Sequence, residues 1–312
     1  MTKYVLPEDQ DEYGDFCFHH LKRLATVRKF SPLIHYTSGA NLINIVNSGE
    51  LWATQIGCLN DAKEILHSVE LLKHAIEEHE KTGPDEKFAI LLAKMRALLS
   101  EPNPENAGMF VVCFSERRDD LSQWRAYGGP DGGYAIEFEI EKLLEATKNK
   151  GGYLVPVTYD MDAKTILLAD IIKWTEIFFL RGIEKNRAPT LEDWIDEFAP
   201  CWLDHLSWLA PLLKHPAFKD EVEWRFIYSL KSEDFENLRF TERKSMMTRH
   251  IPVNFSAPNA KKYTPLPISS VVVGPKVQQR LSQVAVGDLL KSKGYADTVS
   301  VTLSDIPFRT AH

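Results

Sequence analysis

Four short stretches of this chain bring together residue types that could do chemistry. The first is Ile34-His35-Tyr36-Thr37-Ser38, followed by Asn41-Leu42, Ile45, Gly49 and Leu51. There an apolar strand delivers a His–Tyr–Thr triplet into a helix. Its imidazole could bond a ribose hydroxyl while neighbouring backbone groups hold a carboxamide; a core histidine at a strand end is the competing assignment. The second runs from Phe110–Phe114 into Ser115, Glu116, Asp120, Ser122, Gln123, Trp124, Arg125 and Tyr127, with Gly128-Gly129 behind. A hydroxyl and an aromatic plane at a strand end suit a flat heterocycle, although Trp124 and Tyr127 lie three residues apart and could equally pack inward. In the third, Asp220-Glu221-Val222-Glu223-Trp224-Arg225-Phe226, strand alternation puts Glu221, Glu223 and Arg225 on one face and Val222, Trp224 and Phe226 on the other. At a surface those charges make a solvated ladder. In a cleft, Arg225 would pair one carboxylate and leave the other to face a developing cation. The fourth, Asn60-Asp61-Ala62-Lys63-Glu64, reads as a helix cap with a first-turn acid. As a metal site it has only His67 at a supporting spacing.

The elements that must position these residues follow from periodicity and breakers. Residues 10–30 have a helical pattern through Phe16, Phe18, Leu21, Leu24 and Val27. Short strands are expected around His35 and at Glu50–Thr54, flanking a helix over Asn41–Ser48 that Gly49 closes. A charged helix runs from Asn60-Asp61 to Glu80 and another over 86–99. Met109–Ser115, GYAIEFEI and YLVPVTYD read as strands, with a short helix over DDLSQWRAYG. Residues 162–215 are almost wholly helical, and their Trp174, Trp194, Trp202 and Trp208 read as core. EWRFIYSL, LRFTER and TRHIPVNF return to strand, and the tail is a strand–helix–strand unit. The expected class is α+β: one domain over 1–312, a sheet core from 30–160 and 216–312, and a helical insertion at 161–215.

Composition narrows the function classes. The 312 residues are 44% hydrophobic and 26% charged, ordinary for a globular chain able to bury a sizeable core. No apolar run is long enough for a membrane span, and the acidic start lacks the order of a signal peptide, so a soluble, cytoplasmic protein is expected. Cys17, Cys58, Cys113 and Cys201 are scattered without a CxxC pair, which makes free thiols the expectation and no metal site is assigned. A net charge of −7 argues against a surface that coats nucleic acid throughout. A local basic patch of Arg239, Arg243, Lys244, Arg249 and His250, with Lys261 and Lys262, leaves a nucleic-acid acceptor open. Phosphate-loop, dinucleotide-fingerprint, nucleophile-elbow and zincin motifs do not occur.

Taken together, IHYTSGANLINIVNSGELWATQIGCLNDAKE, FSERRDDLSQWRAYGGPDGGYAIEF, FKDEVEWRFIYS and the terminal SDIPFR resemble a bacterial family catalogued as domain of unknown function twenty-nine seventy-one, over about Leu33 to Arg309. A more distant resemblance carries a function. The His–Tyr–Thr strand with its NL, I, G and L is similar to the opening of DNA-modifying ADP-ribosyltransferase toxins. FVVCFSERRDDLSQWRAY looks like the poly-ADP-ribose polymerase segment in which a strand ends in Phe and a loop supplies Ser and Tyr. VEWRFIY looks like the strand carrying that superfamily's catalytic glutamate, and the three matches keep the superfamily's order.

This resemblance implies a split, mixed or antiparallel sheet with an NAD cleft, NAD as co-substrate, and an ADP-ribose acceptor that is nucleic acid, protein or water. It implies that His35 bonds the nicotinamide-side ribose and that Tyr36, beside Thr37, holds the carboxamide through its backbone. Ser122 would support that carboxamide, Arg125 would also contact the NAD, Trp124 or Tyr127 would stack on the nicotinamide, and Glu223, or Glu221 two residues earlier, would be catalytic. Tyr36 stands where a glycine is common in the polymerases. A bacterial toxin or anti-phage effector is the implied cellular role. Two other readings stay open: a metal-dependent nuclease or hydrolase using Asp61, Glu64, Glu221 and Glu223, and a non-catalytic nucleotide-binding sensor.

Overall fold

A computed structural model describes residues 31–59, 64–100, 108–129, 132–147, 151–243, 246–255, 265–295 and 299–307. The helix expected at 10–30 and the cap at Asn60-Asp61 lie outside them. In chain order the elements are β1 (Leu33–Thr37), α1 (Gly39–Ser48), β2 (Leu51–Gln55), α2 (Glu64–Glu80), α3 (Glu86–Leu98), β3 (Met109–Ser115), α4 (Leu121–Tyr127), β4 (Tyr134–Phe138), α5 (Ile140–Thr147) and β5 (Gly152–Pro156). Then come α6 (Met161–Glu184), α7 (Leu191–Leu209), β6 (Glu223–Ser229), β7 (Arg239–Arg243), β8 (Met246–Val253), β9 (Ile268–Val273), α8 (Gln279–Ser292) and β10 (Ser300–Leu303). Among the described residues no helix is long and apolar enough to cross a membrane.

The described residues form two compact units, one from Gln55–Met109 and Val157–Phe218, the other from 31–54, Phe110–Pro156 and Lys219 onward. The helical stretch expected as an insertion, 161–215, falls in the first unit, where α6 and α7 pack with α2 and α3. Its core is aromatic. Phe179 meets Phe88, Trp194 and Phe198 at ring-centroid distances of 6.0, 6.3 and 5.5 Å. Trp194, Trp202 and Trp208 are buried, as their size and apolarity favour. Asp160 caps α6 by accepting from the Ala163 N–H, and Thr190 caps α7 in the same way through Asp193.

The second unit is a mixed, open ten-stranded sheet in the order β10-β9-β4-β1-β3-β2-β8-β7, with β6 paired to β3 and β5 paired to β6. Most strand pairs among the described residues are antiparallel; β10 and β9 run parallel across the α8 connection. Alternation assigns the two faces. Leu33, Phe114, Ile136, Phe138, Trp224 and Phe226 point into the larger core under α1, α5 and α8. Each fully buried Leu, Ile or Val of α1 stabilises by about 1.5–3 kcal/mol, and Leu42, Ile45 and Val46 form that stripe. Ile34, Tyr36, Ala135 and Val272 point the other way, onto Trp124 of α4.

Close backbone approach fixes α4 against the sheet. A Cβ on Gly274 would lie 1.8 Å from the Gly132 carbonyl oxygen and 2.9 Å from the Trp124 ring. Gly133 combines φ 60° with a would-be Cβ 2.3 Å from the Gly128 Cα, so a side chain is barred there twice over. The helix α5 went unread in the sequence because the alternation of YAIEFEI runs straight into it.

Candidate functional site at the end of the third strand

The last residues of β3 bond to both other segments singled out above. His35 Nδ1 lies 2.9 Å from the Cys113 carbonyl, and Ile34 pairs with Ser115. Ser115 Oγ donates to the Glu221 carbonyl at 2.6 Å and accepts from the Arg117 N–H at 3.0 Å. One residue on, the Glu116 N–H donates to the Val222 carbonyl at 3.1 Å, and Trp224 Nε1 donates to the Glu116 carboxylate at 2.6 Å. The Tyr36 hydroxyl donates to the Arg117 carbonyl at 2.7 Å and accepts from the Asp120 N–H at 3.1 Å. A central, nearly all-apolar strand thus gathers three segments far apart in sequence.

His35 is half-buried, and burial lowers its pKa below the usual 6.5 against a smaller opposing effect of the Cys113 carbonyl. A carbonyl can only accept, so Nδ1 carries the proton and Nε2 is left as an acceptor. The ring can therefore receive a hydroxyl's hydrogen bond rather than donate one. Tyr36 is buried edge-on to Trp124, 4.8 Å between centroids, and burial pushes its phenol up to about 12. Thr37 is buried.

The expected face of Glu221, Glu223 and Arg225 is broken. Val222 has φ 41°, costly for a β-branched residue, and it separates the 3-10 turn Pro216–Glu221 from β6. Only Glu223 and Arg225 share the strand face, and they are no solvated ladder. Both are buried, and Arg225 Nε and Nη2 reach the two Glu223 oxygens at 2.9 and 3.0 Å. The His35 ring meets Phe114 at 6.0 Å on the face of the larger core, where Trp224 and Phe226 also point. Alternation turns Glu223 and Arg225 to the opposite face from His35.

Beside this junction Arg117, Asp120, Leu121, Ser122, Arg125 and Asp220 line an open groove of about 420 Å³. Ser122 and Arg125, both expected to touch a dinucleotide, are exposed there. Asp120 caps α4, accepting from the Ser122 and Gln123 N–H groups at 2.8 and 3.3 Å and from the Ser122 hydroxyl. Burial raises its carboxyl, but these bonds and the Arg117 charge outweigh it and hold the group below 3.8. Asp119, at φ 57°, ties the loop down: its carboxylate accepts from Trp124 Nε1 at 2.8 Å, from the Asp305 N–H at 3.0 Å and from Ser304 Oγ.

Trp124 is 1% exposed and its faces are spent on packing, so the inward alternative holds for it, while Tyr127 is half-buried against the same small cluster. Arg117 was not singled out in the sequence, and Asp220 only as the first residue of the third stretch; the charged run directly after an apolar strand was the available signal. Among the described residues no group of three His, Cys, Asp or Glu could hold a metal. Glu64 is buried in the helical unit, and Asp61 lies outside the described residues. Of the basic patch, Arg239 bonds the Asn237 carbonyl at 3.0 Å, and His250 is buried among Thr54, Thr241 and Thr248 at 3.1, 2.8 and 2.9 Å. Lys244, Lys261 and Lys262 lie outside the described residues, as does the side chain of Arg243. Cys58, Cys113 and Cys201 are free thiols.

A family model described as "Protein of unknown function (DUF2971)" matches residues 123–226, from Gln123 on α4 to Phe226 on β6. Over that span, about a third of the chain and shorter than the Leu33–Arg309 stretch whose motifs suggested it, the expected family is found. No curated protein and no solved structure matches the chain.

Proposed function

We propose that this member of a family of unknown function is an NAD-consuming ADP-ribosyltransferase whose sheet is the split kind and whose cleft opens at the end of β3. The observation that carries the reading is the convergence on Cys113–Glu116: His35, the backbone of Arg117 at the groove and the Glu221–Trp224 segment are all tied to four consecutive residues. Strain at Asp119 and Val222 flanks the same place, and strained backbone concentrates at functional sites.

The chemistry asks for little more than such a place. When the C1′–N bond of NAD breaks, its electron pair leaves with nicotinamide, which becomes neutral, and the positive charge spreads over C1′ and the ribose ring oxygen. The acceptor's lone pair then closes on C1′, and its proton leaves to solvent. One preorganised anion near C1′ lowers the barrier. Glu223 is compensated by Arg225, so that role falls to Glu221, which is half-buried, follows the groove-lining Asp220 and has its backbone held by Ser115. His35 Nε2 would accept from a ribose hydroxyl, and Ser122 with Arg125 would meet the remainder of the dinucleotide.

A specific observation also favours a binding-only protein: His35 and Glu223 stand on opposite faces, and Glu223 is already neutralised. Incubating the pure chain with NAD and nucleic-acid or protein acceptors separates the two. Free nicotinamide with an acceptor heavier by one ADP-ribosyl group, lost in Glu221→Gln, supports the transferase. NAD binding with no nicotinamide released by the folded protein leaves the sensor reading.

A further inference from the structure

We infer that the groove at Arg117 and Arg125 is a phosphoryl-anion site for a diphosphate ester, with Asp220 as its built-in competitor. Naming the ester as that of a dinucleotide rests on the reading above; binding of diphosphate itself does not.

The two neighbouring arginines have opposite fates. Arg118 is engaged by the sheet, its Nε 2.9 Å from Glu137 and its Nη2 3.1 Å from the Thr302 hydroxyl. Arg117 lines the groove, and its recorded ion pair is with Asp220 at 3.8 Å, beyond hydrogen-bond length, the two side chains being 45% and 78% exposed. So loose and wet a pair is readily displaced. The backbone of Arg117 is pinned at both ends, by Ser115 Oγ on its N–H and the Tyr36 hydroxyl on its carbonyl. Its guanidinium therefore swings from a fixed Cα. Planar guanidinium forks match phosphoryl oxygens, and Arg125 presents a second one across the same hollow.

The remaining lining fits an anion as well. Asp120 accepts the first-turn N–H groups of α4 and the Ser122 hydroxyl on Oδ1, and the Arg117 charge acts on the same carboxylate, so its negative charge is answered within the groove. Leu121 supplies an apolar floor for a sugar or base edge, and about 420 Å³ suits part of a small ligand. Asp220 is the carboxylate ion-paired to the Arg117 guanidinium, and at 3.8 Å it holds that group only loosely. A diphosphate arriving at Arg117 replaces one distant carboxylate with two or three charge-assisted contacts.

Titration calorimetry of the full chain with inorganic pyrophosphate, ADP-ribose and adenosine tests this. Pyrophosphate and ADP-ribose should bind one to one, more weakly at higher salt, and adenosine far less. Arg117→Gln should weaken both phosphate ligands by about tenfold or more, the worth of a charged hydrogen bond, with Arg117→Lys in between. Asp220→Asn should tighten them about two- to fivefold, the reach of an exposed pair. Adenosine binding equal to ADP-ribose, an unchanged affinity in folded Arg117→Gln, or weaker binding in Asp220→Asn each overturns the inference. Pyrophosphate binding without any nicotinamide release defeats the enzyme reading and leaves the groove standing. NAD turnover with unchanged KM in Arg117→Gln does the reverse.

Discussion

Arg225 grips both oxygens of Glu223 from two residues away on the same strand, at 2.9 and 3.0 Å, with 1% and 6% of the two residues exposed. Two charges in so dry a place hold each other. Removing one leaves the other buried and uncompensated, which typically costs about 3–5 kcal/mol. Arg225→Met should therefore lower the unfolding free energy, read from denaturant titration, by that order, and Glu223→Leu together with Arg225→Met should recover much of the loss. Additive losses in the double variant would show that the pair is not the unit described.

The two glutamates should separate in assay. Glu221→Gln should keep the thermal midpoint while nicotinamide release falls by about 10²–10³-fold, as for loss of one preorganised electrostatic group. Glu223→Gln should act first on stability. Full turnover in Glu221→Gln with a dead but folded Glu223→Gln would reverse the assignment.

Ser115 holds Glu221 and Arg117 at once through a single hydroxyl, at 2.6 and 3.0 Å. Ser115→Ala should cost about 1–3 kcal/mol, the penalty for stranding buried polar groups. It should also raise KM for NAD more than it lowers kcat, because the groove loses its anchor before the chemistry loses its anion. A kcat loss with KM unchanged would count against that division.

Acid should destabilise the sheet unit through His35. Its folded pKa lies below 6.5, so the neutral ring is the form that folding favours. That contribution is complete above pH 6.5 and is lost as pH falls through the lowered folded value. His205 in the helical unit is shifted the same way by burial. Stability measured from pH 7.5 downward should fall more gently in His35→Gln, and an identical slope would remove His35 from the account.

Trp124 is the wedge between α4 and the sheet. Trp124→Ala should cost about 3–5 kcal/mol in equilibrium unfolding, and Gly274→Ala should fail to fold cleanly because its Cβ would meet backbone at 1.8 Å. Near-native stability in Gly274→Ala would mean that α4 is free to move.

Local pattern alone determined most elements: the Leu33–Thr37 strand, the helix closed by Gly49, the apolar β3, and the Trp-rich helices, whose Trp194, Trp202 and Trp208 are buried while Trp174 is half-buried. Such features depend on neighbours within a turn or a pleat, and periodicity records them. It also marked His35, Ser122, Arg125 and the Glu221–Arg225 segment as residues of interest, because polar groups there interrupt apolar runs. What it left open was decided by contacts between distant parts of the chain. The kink at Val222 takes Glu221 out of the strand, and Arg225 neutralises Glu223 in the dark of the sheet. Of two adjacent arginines, one is spent on Glu137 and the other is left at a groove. Burial and which face of a sheet meets which helix are properties of the packed chain: Glu223 and Arg225 lie within one short window, but only the strands and core around them decide that the pair is dry.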